Sequence, residues 1–301
     1  MNIQWYPGHM TKAKRAMQED IRLVDLIIEL VDARVPLASR NPDIDALGKG
    51  KARLIILNKT DLADPDCNER WAEYFRGLGC HVVSANSRSG AGLRQVNGVV
   101  QEACREKIER DRRRGILNRP VRAMVVGIPN VGKSTFINSF AGKACAKTGN
   151  KPGVTKGNQW IRLSKTLELL DTPGILWPKF EDSQVGLRLA FIGSINDDIL
   201  ERSELAVELL AFLRVHYPGA MTERYGLADE DMSGSEAEIL ECIARARGCL
   251  ARGGGVDSDK AAGILLDDFR AGRLGQITLE EPPVKAEPST AEDQLWRKND
   301  R

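Results

Sequence analysis

The order of two short motifs constrains this chain more than any other feature of its sequence. The segment "GIPNVGKST" starts at Gly127 and fits the pattern G-x-x-x-x-G-K-[ST], which wraps phosphate groups at a helix N-terminus. The segment "ILNKTD" ends in Asn58-Lys59-Thr60-Asp61, a tetrapeptide that typically reads guanine when it follows an apolar strand. Chains that carry both motifs normally have the phosphate loop first. Here it starts 69 residues after Asn58, so the fold has to bring the two motifs together in reversed order.

The phosphate loop predicts roles for individual residues. Its glycines let backbone N–H groups surround phosphates, Lys133 would neutralise the β and γ phosphates, and Ser134 would take a Mg²⁺ coordination position. The apolar run "AMVVG" before it and the helix-compatible "TFINSFAG" after it supply the strand and helix that the motif requires. The residues of this loop that we expect to contact nucleotide are Asn130, Val131, Gly132, Lys133, Ser134 and Thr135.

Two downstream loops complete the phosphate end of the predicted site. In "LLDTPGI", Asp171 ends an apolar run, where a carboxylate can hold Mg²⁺ through water, and the Gly174 N–H can sense the γ-phosphate. The loop "KPGVTKG" lies between the phosphate loop and "LLDTPGI". It contains Thr155, whose hydroxyl could complete the Mg²⁺ coordination shell when GTP is bound. Each loop alone would be an ordinary turn, so the assignment depends on their occurring together.

The base end of the predicted site is formed by two strand ends. The Asp61 carboxylate can accept hydrogen bonds from guanine N1–H and from the 2-amino group, with the Lys59 stem along the base. Adenine would leave that charged acceptor unpaired, which is costly in a closed site. Ser84-Ala85-Asn86 also follows an apolar run, and the Ala85 N–H could donate to guanine O6.

All five motifs occur in a consistent cyclic order. The chain runs N-K-x-D, S-A-x, phosphate loop, Thr loop and D-x-x-G, whereas the usual order begins at the phosphate loop. Only the starting point has moved. Because the termini of compact domains often lie close together, a circular permutation can keep the same sheet and pocket. Two unrelated half-sites would need five motifs to fall in this order by accident, so the sequence predicts a circularly permuted GTPase.

Hydrophobic patterning predicts the surrounding architecture. The short apolar runs "LIIELVDA", "RLIILN", "HVVSAN" and "AMVVG", separated by helical stretches, indicate βαβ units and buried parallel strands. The segment "NQWIRLSKTLELLD" reads as two strands with a turn. After about Glu181 only helical patterns remain, among them Ser258–Arg270 and a helix opened by the capping box Ser235-x-x-Glu238. We therefore predict an α/β fold, with a circularly permuted P-loop GTPase domain and mostly parallel sheet at 1–180, a small all-helical domain at 181–279, and a disordered tail at 280–301.

Composition bounds the environment and the partners. The net charge of +2 is unevenly spread, since residues 1–183 carry +10 and the remainder −8. A basic front half could face a polyanion, although a solvated surface would explain any single cluster. The six cysteines form no C-x-x-C pair and no Cys/His cluster, which favours a reducing compartment over structural zinc. The chain shows no membrane span and no secretory or transit leader, so we expect a cytoplasmic protein.

Beyond the nucleotide motifs, three segments carry a resemblance to a known family. They are "WYPGHMTKAKR", "DARVPLASRNP" and "RGGGVDSDKAAGILLDDFRAGRLG", and with them nearly the whole chain resembles the YlqF/RbgA family of circularly permuted ribosome biogenesis GTPases. The resemblance implies a GTPase that binds the immature large ribosomal subunit, contacts rRNA partly through its helical C-terminal domain, and leaves after hydrolysis. We expect GTP, GDP and the large subunit with its rRNA as partners, no membrane, and a monomeric protein.

The resemblance also implies roles for three residues. Ile175 stands where Ras-like GTPases have the glutamine that orients the attacking water, and slow unaided turnover is the expected consequence. His9, in "PGHM", is similar to the family's proposed water-positioning residue, and a loop histidine that packs or meets RNA is the alternative. Asn130 matches the residue that helps to hold K⁺ in potassium-stimulated relatives, where the ion replaces an arginine finger. A turn or N-cap role for Asn130 stays open.

The distribution of charge gives two candidate RNA-contacting surfaces. Residues 184–279 hold 10 basic and 16 acidic side chains, so RNA contact there needs a local patch such as Arg245, Arg247 and Arg252. The run "REKIERDRRRGILNRPVR" at 105–122 is the better electrostatic candidate, unless it is only a solvated helix end.

The leading hypothesis is a GTP-hydrolysing assembly factor for the large subunit, and the second is a nucleotide-gated RNA-binding scaffold with incidental hydrolysis. The permuted GTPases of the small subunit carry an OB-type barrel and a Cys/His zinc module, neither of which the sequence predicts.

Overall fold

A six-stranded sheet organises the first part of the molecule. The computed structural model describes residues 15, 17–146, 159–174, 176, 182–195, 201–251 and 255–283. The sheet has the order β3-β2-β1-β4-β6-β5, in which β5 is antiparallel to β6 and all other pairs are parallel. Its strands are β1 (Leu26–Asp32), β2 (Ala52–Asn58), β3 (His81–Ala85), β4 (Val121–Val126), β5 (Gln159–Arg162) and β6 (Leu167–Asp171). The predicted mostly parallel α/β sheet is confirmed, including the turn between β5 and β6.

The strands form where apolar runs can be buried on both faces. All seven residues of β1 are buried, as are the last five of β2. Helices connect the strands and cover the sheet, and they are α1 (Asp43–Leu47), α2 (Pro65–Gly77), α3 (Val96–Ala103), α4 (Arg105–Arg113) and α5 (Lys133–Ala141). Helix α2 begins where the Asp64 side chain accepts from Cys67 N–H and Pro65 pre-sets the first turn, and it buries Trp71 and Phe75.

The remaining described elements are helical. They are α6 (Ser183–Phe191), α7 (Arg202–His216), α8 (Gly219–Tyr225), α9 (Glu236–Ala246) and α10 (Ser258–Arg270). The predicted capping box opens α9, with Ser235 Oγ accepting from Glu238 N–H and the Glu238 carboxylate accepting from Ser235 N–H. Helix α10 has the predicted bounds and packs its buried face, which includes Leu265 and Phe269, on α7 and α9.

The chain returns from α10 to the sheet. Residues 277–280 are buried, and they lie beside the loops that follow β1 and β2. The predicted disordered tail starts at Glu280, yet Glu280 is only 7% exposed, and its carboxylate accepts hydrogen bonds from two backbone N–H groups. The folded part therefore extends past that boundary, while residues 284–301 lie outside those that the structure describes.

Candidate nucleotide-binding site

The carboxyl ends of the parallel strands bring the predicted motifs to one edge of the sheet. Asp32, Asn58, Ala85 and Asp171 end β1, β2, β3 and β6, and Gly127 follows β4. Strand order runs outward from β1 in one direction and from β4 in the other, so the two form a topological switch point. Ligands of open α/β sheets bind in the crevice outside such a point. The permuted chain order therefore still produces a single site.

The phosphate loop wraps around its own lysine. Lys133 is the first residue of α5 and is 7% exposed, and its Nζ donates to the carbonyl oxygens of Gly127 at 2.9 Å and Ile128 at 3.0 Å. Burial lowers the pKa of Lys133 to about 8, although the Asp171 carboxylate opposes this shift. A negative phosphate at this helix N-terminus would satisfy both the ammonium group and the free N–H groups of the first turn.

The asparagine of the N-K-x-D motif joins the base-reading loop to the phosphate loop. Asn58 Nδ2 donates to the Val131 carbonyl oxygen at 2.8 Å, and Asn58 Oδ1 accepts from the Ser87 N–H at 3.0 Å. Gly132, with φ of 103°, lies so close that a Cβ there would be 2.6 Å from Asn58 Nδ2. The buried amide of Asn58 thus joins the N-K-x-D motif to the phosphate loop and to Ser87, the residue that follows the Ser84-Ala85-Asn86 motif.

The lysine of the same motif makes a second link. Lys59 has φ of 61°, an uncommon backbone conformation for a side-chain-bearing residue. Its Nζ donates to the Asn130 carbonyl oxygen at 2.8 Å and pairs with Asp32 Oδ2 at 2.7 Å. Burial alone would raise the pKa of the Asp32 carboxyl, but Arg34 and Lys59 more than offset it and hold that pKa below its usual range.

Asp32 and Arg34 are site residues that the motif analysis missed. Both are buried, and Arg34 Nε and Nη2 each lie 2.9 Å from the Asp32 carboxylate. The available signal was positional, because Asp32 ends an apolar strand in the same way as Asp171.

The residues predicted to read guanine lie at the end of β3 and in the turns that follow β2 and β3. Asp61 lies in a short helical turn after β2 with an exposed side chain. Ala85 is buried at the end of β3, whereas Ser84 is exposed. Asn86 Oδ1 accepts from Arg88 N–H and Ser89 N–H, which closes the turn after Ala85. Ser84 and Ala85 therefore belong to β3, which pairs with β2 beside Asn58, and Asn86 begins the turn after β3.

The predicted metal end of the site fits a divalent cation. Asp171 is 2% exposed, and its Oδ1 has no hydrogen-bond partner among the described residues. Burial raises the pKa of Asp171, and Lys133 opposes the shift. A buried carboxylate oxygen without a partner suits the hydration shell of Mg²⁺. Ser134 lies one residue beyond Lys133 in the first turn of α5, whereas Thr155 lies outside the described residues.

Gly174 and Asn130 connect the phosphate loop to the segments packed against it. A Cβ at Gly174 would lie 2.9 Å from both Lys133 Nζ and Pro129 Cα, so this D-x-x-G glycine packs on the loop. Asn130 has φ of 59°, and its Nδ2 donates to the Gly193 carbonyl oxygen at 2.6 Å. The side chain of Asn130 thus links the loop to the segment after α6. His9 and Ile175 lie outside the described residues.

Together, the fold and these loops define a circularly permuted P-loop GTPase. A family model described as 50S ribosome-binding GTPase matches residues 122–232. Ribosome biogenesis GTPase A from Bacillus cereus is 48% identical over 284 residues, covering 94% of this chain and 95% of that protein. The Thermotoga maritima protein of the same name is 32% identical over 292 residues, covering 95% and 98%. This chain belongs to the ribosome biogenesis GTPase A family.

Solved structures agree with this assignment. The chain is similar to GDP-bound YlqF, with a TM-score of 0.64 and 27% identity over 89% of this chain and 99% of that one. GNP-bound YlqF from T. maritima gives a TM-score of 0.62 and 28% identity over 90% and 98%. Membership of a GTPase family carries GTP hydrolysis and dependence on Mg²⁺. Within the described part of the chain, no helix has the length and apolar character needed to cross a membrane.

Proposed function

We propose that this protein is a GTP-hydrolysing assembly factor for the large ribosomal subunit, whose nucleotide state controls its association with rRNA or pre-ribosomal particles. The observation that carries the nucleotide assignment is the packing of Asn58 and Lys59 on Val131, Gly132 and Asn130. Base-reading and phosphate-reading loops share these contacts although the chain order is permuted. The relatives named ribosome biogenesis GTPase A support the assembly role.

The residues divide the work of binding and hydrolysis. Asp61 reads the guanine edge, Lys133 neutralises phosphate charge, and the Gly174 N–H senses the γ-phosphate. Ser134, Thr155 and Asp171 form the Mg²⁺ site, and the ion supplies charge neutralisation between the β and γ phosphates. His9 is the candidate that orients the attacking water, and Asn130 Oδ1 is the candidate K⁺ ligand. The proposed protein acts as a monomer in the cytoplasm.

The basic helix α4 is the RNA-facing surface that charge favours. Arg105, Arg110, Arg112, Arg113 and Arg114 are exposed, and no carboxylate among the described residues pairs with them. Their positive charge is therefore available to phosphates.

The helical region is a weaker electrostatic candidate. Arg245 pairs with Glu241, and Arg247 donates to the Arg224 carbonyl oxygen, so two members of the predicted patch already have partners. Arg252, the third, lies outside the described residues. Glu204 and Glu208 on α7 line a groove with Glu241 on α9, which adds negative charge to that surface.

Guanine specificity is tested by Asp61→Asn. The substitution replaces one carboxylate oxygen by an NH₂ group and removes the negative charge, so the guanine N1–H and 2-amino groups lose their charged acceptor. Each charge-assisted hydrogen bond contributes about 1.5–3 kcal/mol. We expect at least a roughly 100-fold loss of GDP affinity by calorimetry, because two such bonds are affected. Affinity for XDP should rise, since the carbonyl at its C2 position accepts from the new amide. Equal GDP affinity in both proteins would contradict the base assignment.

The assembly role is tested by the GTP hydrolysis rate in potassium buffer with and without purified large subunits. Stimulation by large but not small subunits is expected, with weaker stimulation in sodium buffer. The alternative is a nucleotide-gated RNA-binding scaffold whose hydrolysis is incidental. If hydrolysis drives release, His9→Ala should accumulate on pre-ribosomal particles while GTP affinity is retained. Normal release of that variant, together with no stimulation of the parent, would favour the scaffold.

A further inference from the structure

A segment returning from the helical region crosses both loops at the base end of the nucleotide site. We call residues 276–280 the strap. It follows α10 and lies between the loop after β1, residues 33–40, and the loop after β2, residues 59–64. Four of its five residues are buried, at 1–7% exposure. None of the nucleotide motifs contains it. Besides these loops, it forms hydrogen bonds with the hydroxyl of Tyr217, which follows α7, and with the indole of Trp71 on α2.

The first half of the strap holds the loop that carries Asp61. Gln276 Nε2 donates to the Asp61 carbonyl oxygen at 3.3 Å, and the Ile277 N–H donates to the Leu62 carbonyl oxygen at 3.0 Å. Thr278 Oγ1 then accepts from the Asp64 N–H at 3.0 Å. These bonds fix the main chain at Asp61 and just after it, so they limit where its carboxylate can point.

The second half of the strap holds the loop after β1. The Leu279 N–H donates to the Arg34 carbonyl oxygen at 2.8 Å. The Glu280 carboxylate accepts from the Leu37 N–H at 2.7 Å and the Ala38 N–H at 3.0 Å. Burial raises the pKa of Glu280, and Arg188 and these two N–H donors oppose that shift. Because the carboxylate is buried, its bonds to the two N–H groups are costly to break.

The loop after β1 is in turn connected to the base-reading lysine. Arg34 pairs with Asp32, and Asp32 pairs with Lys59, which also holds the Asn130 carbonyl oxygen. Arg34 Nη1 donates to the Arg270 carbonyl oxygen, and its guanidinium lies 5.3 Å from the centre of the Phe269 ring. The strap and the end of α10 thus reach the guanine-reading loop by two routes, one through Leu62 and one through Asp32.

We propose that the strap positions the guanine-reading loop and that Glu280 is a positioning residue for guanine recognition. The proposal rests on the assignment of Asp61 as the guanine-reading carboxylate. Packing of the strap against the two loops and binding of the base are then coupled. Each of the two events stabilises the other by the same free energy. The helical region therefore contributes to nucleotide affinity without touching the nucleotide.

The test compares Glu280→Gln with Glu281→Gln. The new amide at position 280 would present its N–H₂ group to one of two backbone N–H donors, whereas Glu281 is exposed and pairs with Cys67 and Arg70. Affinities for GDP and for IDP, which lacks the 2-amino group, are measured by calorimetry well below the melting temperature. For Glu280→Gln we expect about a tenfold loss in GDP affinity and a smaller GDP-to-IDP ratio, consistent with weakening of one charge-assisted hydrogen bond. The Glu281→Gln control should match the parent.

A second variant keeps the test decisive if Glu280→Gln does not fold. Thr278→Val preserves shape and removes only the hydroxyl that accepts from Asp64 N–H. We expect a change in the same direction but smaller. A folded variant of either kind with a lower melting temperature but the parent GDP affinity and GDP-to-IDP ratio would overturn the proposal, because a purely structural strap predicts that result.

Hydrogen exchange gives an independent readout. GDP binding to the parent protein should slow exchange of the Ile277 and Leu279 amides, since both donate to loops that the base stabilises. Unchanged exchange at both amides with GDP bound would also overturn the coupling. A parent protein that binds GDP and IDP equally would instead overturn the Asp61 assignment, and the strap proposal with it. The two failures are therefore distinguishable.

Discussion

Gly132 and Gly142 flank α5 with similar left-handed backbone conformations but different surroundings. Their φ angles are 103° and 67°, which side-chain-bearing residues rarely adopt. A Cβ at Gly132 would meet Asn58 Nδ2 at 2.6 Å, whereas a Cβ at Gly142 would meet nothing within 4 Å. Backbone strain is common to both positions, so the contact with Asn58 is the difference between them.

This pair gives a matched test of the loop contact. Gly132→Ala should displace Asn58 and lower GDP affinity at least about tenfold, because the contact that orders the base-reading loop is lost. Gly142→Ala should cost about 1–2 kcal/mol of stability from the left-handed conformation and leave GDP affinity unchanged. Calorimetry gives the affinity, and thermal denaturation gives the stability. Similar affinity losses in the two variants would show that strain alone is responsible.

Among individual residues, the motif positions were predictable and their partners were not. Asn58, Lys59 and Lys133 are recognisable because a short pattern fixes each of them. No short pattern fixes Asp32 or the Gly193 carbonyl oxygen, since both act through contacts between segments distant in sequence, and Asp32 is marked only by its position at a strand end. Local sequence determines which backbone groups are available, whereas the packing of whole elements determines which of them meet.

At the scale of elements, Asp268 joins α10 to α8. The carboxylate is 2% exposed, and it accepts hydrogen bonds from Arg224, Arg273 and the Tyr225 hydroxyl. Burial alone would raise the pKa of Asp268, but these three donors hold it below its usual value of 3.8. An acid with a lowered pKa in the folded state stabilises the fold above its unfolded pKa, and this contribution is lost as pH falls through the folded value.

Asp268→Asn should therefore destabilise the protein by about 1–3 kcal/mol at pH 7, the usual range for a buried hydrogen-bonding group left poorly satisfied. The difference from the parent should begin to shrink as pH falls below 3.8, where the unfolded carboxyl binds a proton first, and should be lost as pH falls through the lower pKa of the folded state. Chemical denaturation at several pH values provides the measurement. The neighbouring Asp267→Asn serves as the control because Asp267 is exposed. A pH-independent difference would argue against a charge-based role.

Elements with strong periodicity were predicted well. Helix α10, the capping box of α9 and the two strands β5 and β6 occur where hydrophobic pattern and cap residues indicated. The helical stretch expected between the apolar runs "HVVSAN" and "AMVVG" is divided at Cys104, whose φ and ψ of −104° and 14° separate α3 from α4. The strap was missed because an irregular segment between two loops has no period, and its bonds come from tertiary packing.

At the scale of the whole molecule, charge favours α4 over the helical region as the RNA-binding surface of the proposed function. Arg112 and Arg113 on α4 are exposed without carboxylate partners among the described residues, whereas Arg245 and Arg247 of the helical region are bonded. Because phosphate contacts release counterions, the salt dependence of RNA affinity counts such contacts. Replacing a contacting arginine therefore changes the salt slope as well as the affinity.

We expect Arg112→Ser with Arg113→Ser to weaken binding to large-subunit rRNA and to reduce the slope of log affinity against log salt by roughly 1.5, since each phosphate contact contributes about 0.7–0.9. The double substitution of Arg245 and Arg247 by serine is the matched comparison. Filter binding over a series of potassium concentrations measures both slopes. A larger effect from the second pair would place the RNA surface on the helical region.

The strap also ties the order of synthesis to the completion of the site. A growing chain emerges from its N-terminus, so Asn58 is available well before Gly127, and residues 276–280 follow both. Until those residues arrive, the Arg34 and Leu62 carbonyl oxygens and the Leu37 and Ala38 N–H groups lack the partners they have in the finished fold. A nascent chain that already contains every nucleotide motif therefore still lacks the segment that orders its base-reading loop, so full affinity for guanine nucleotides is reached only late in the synthesis of each molecule.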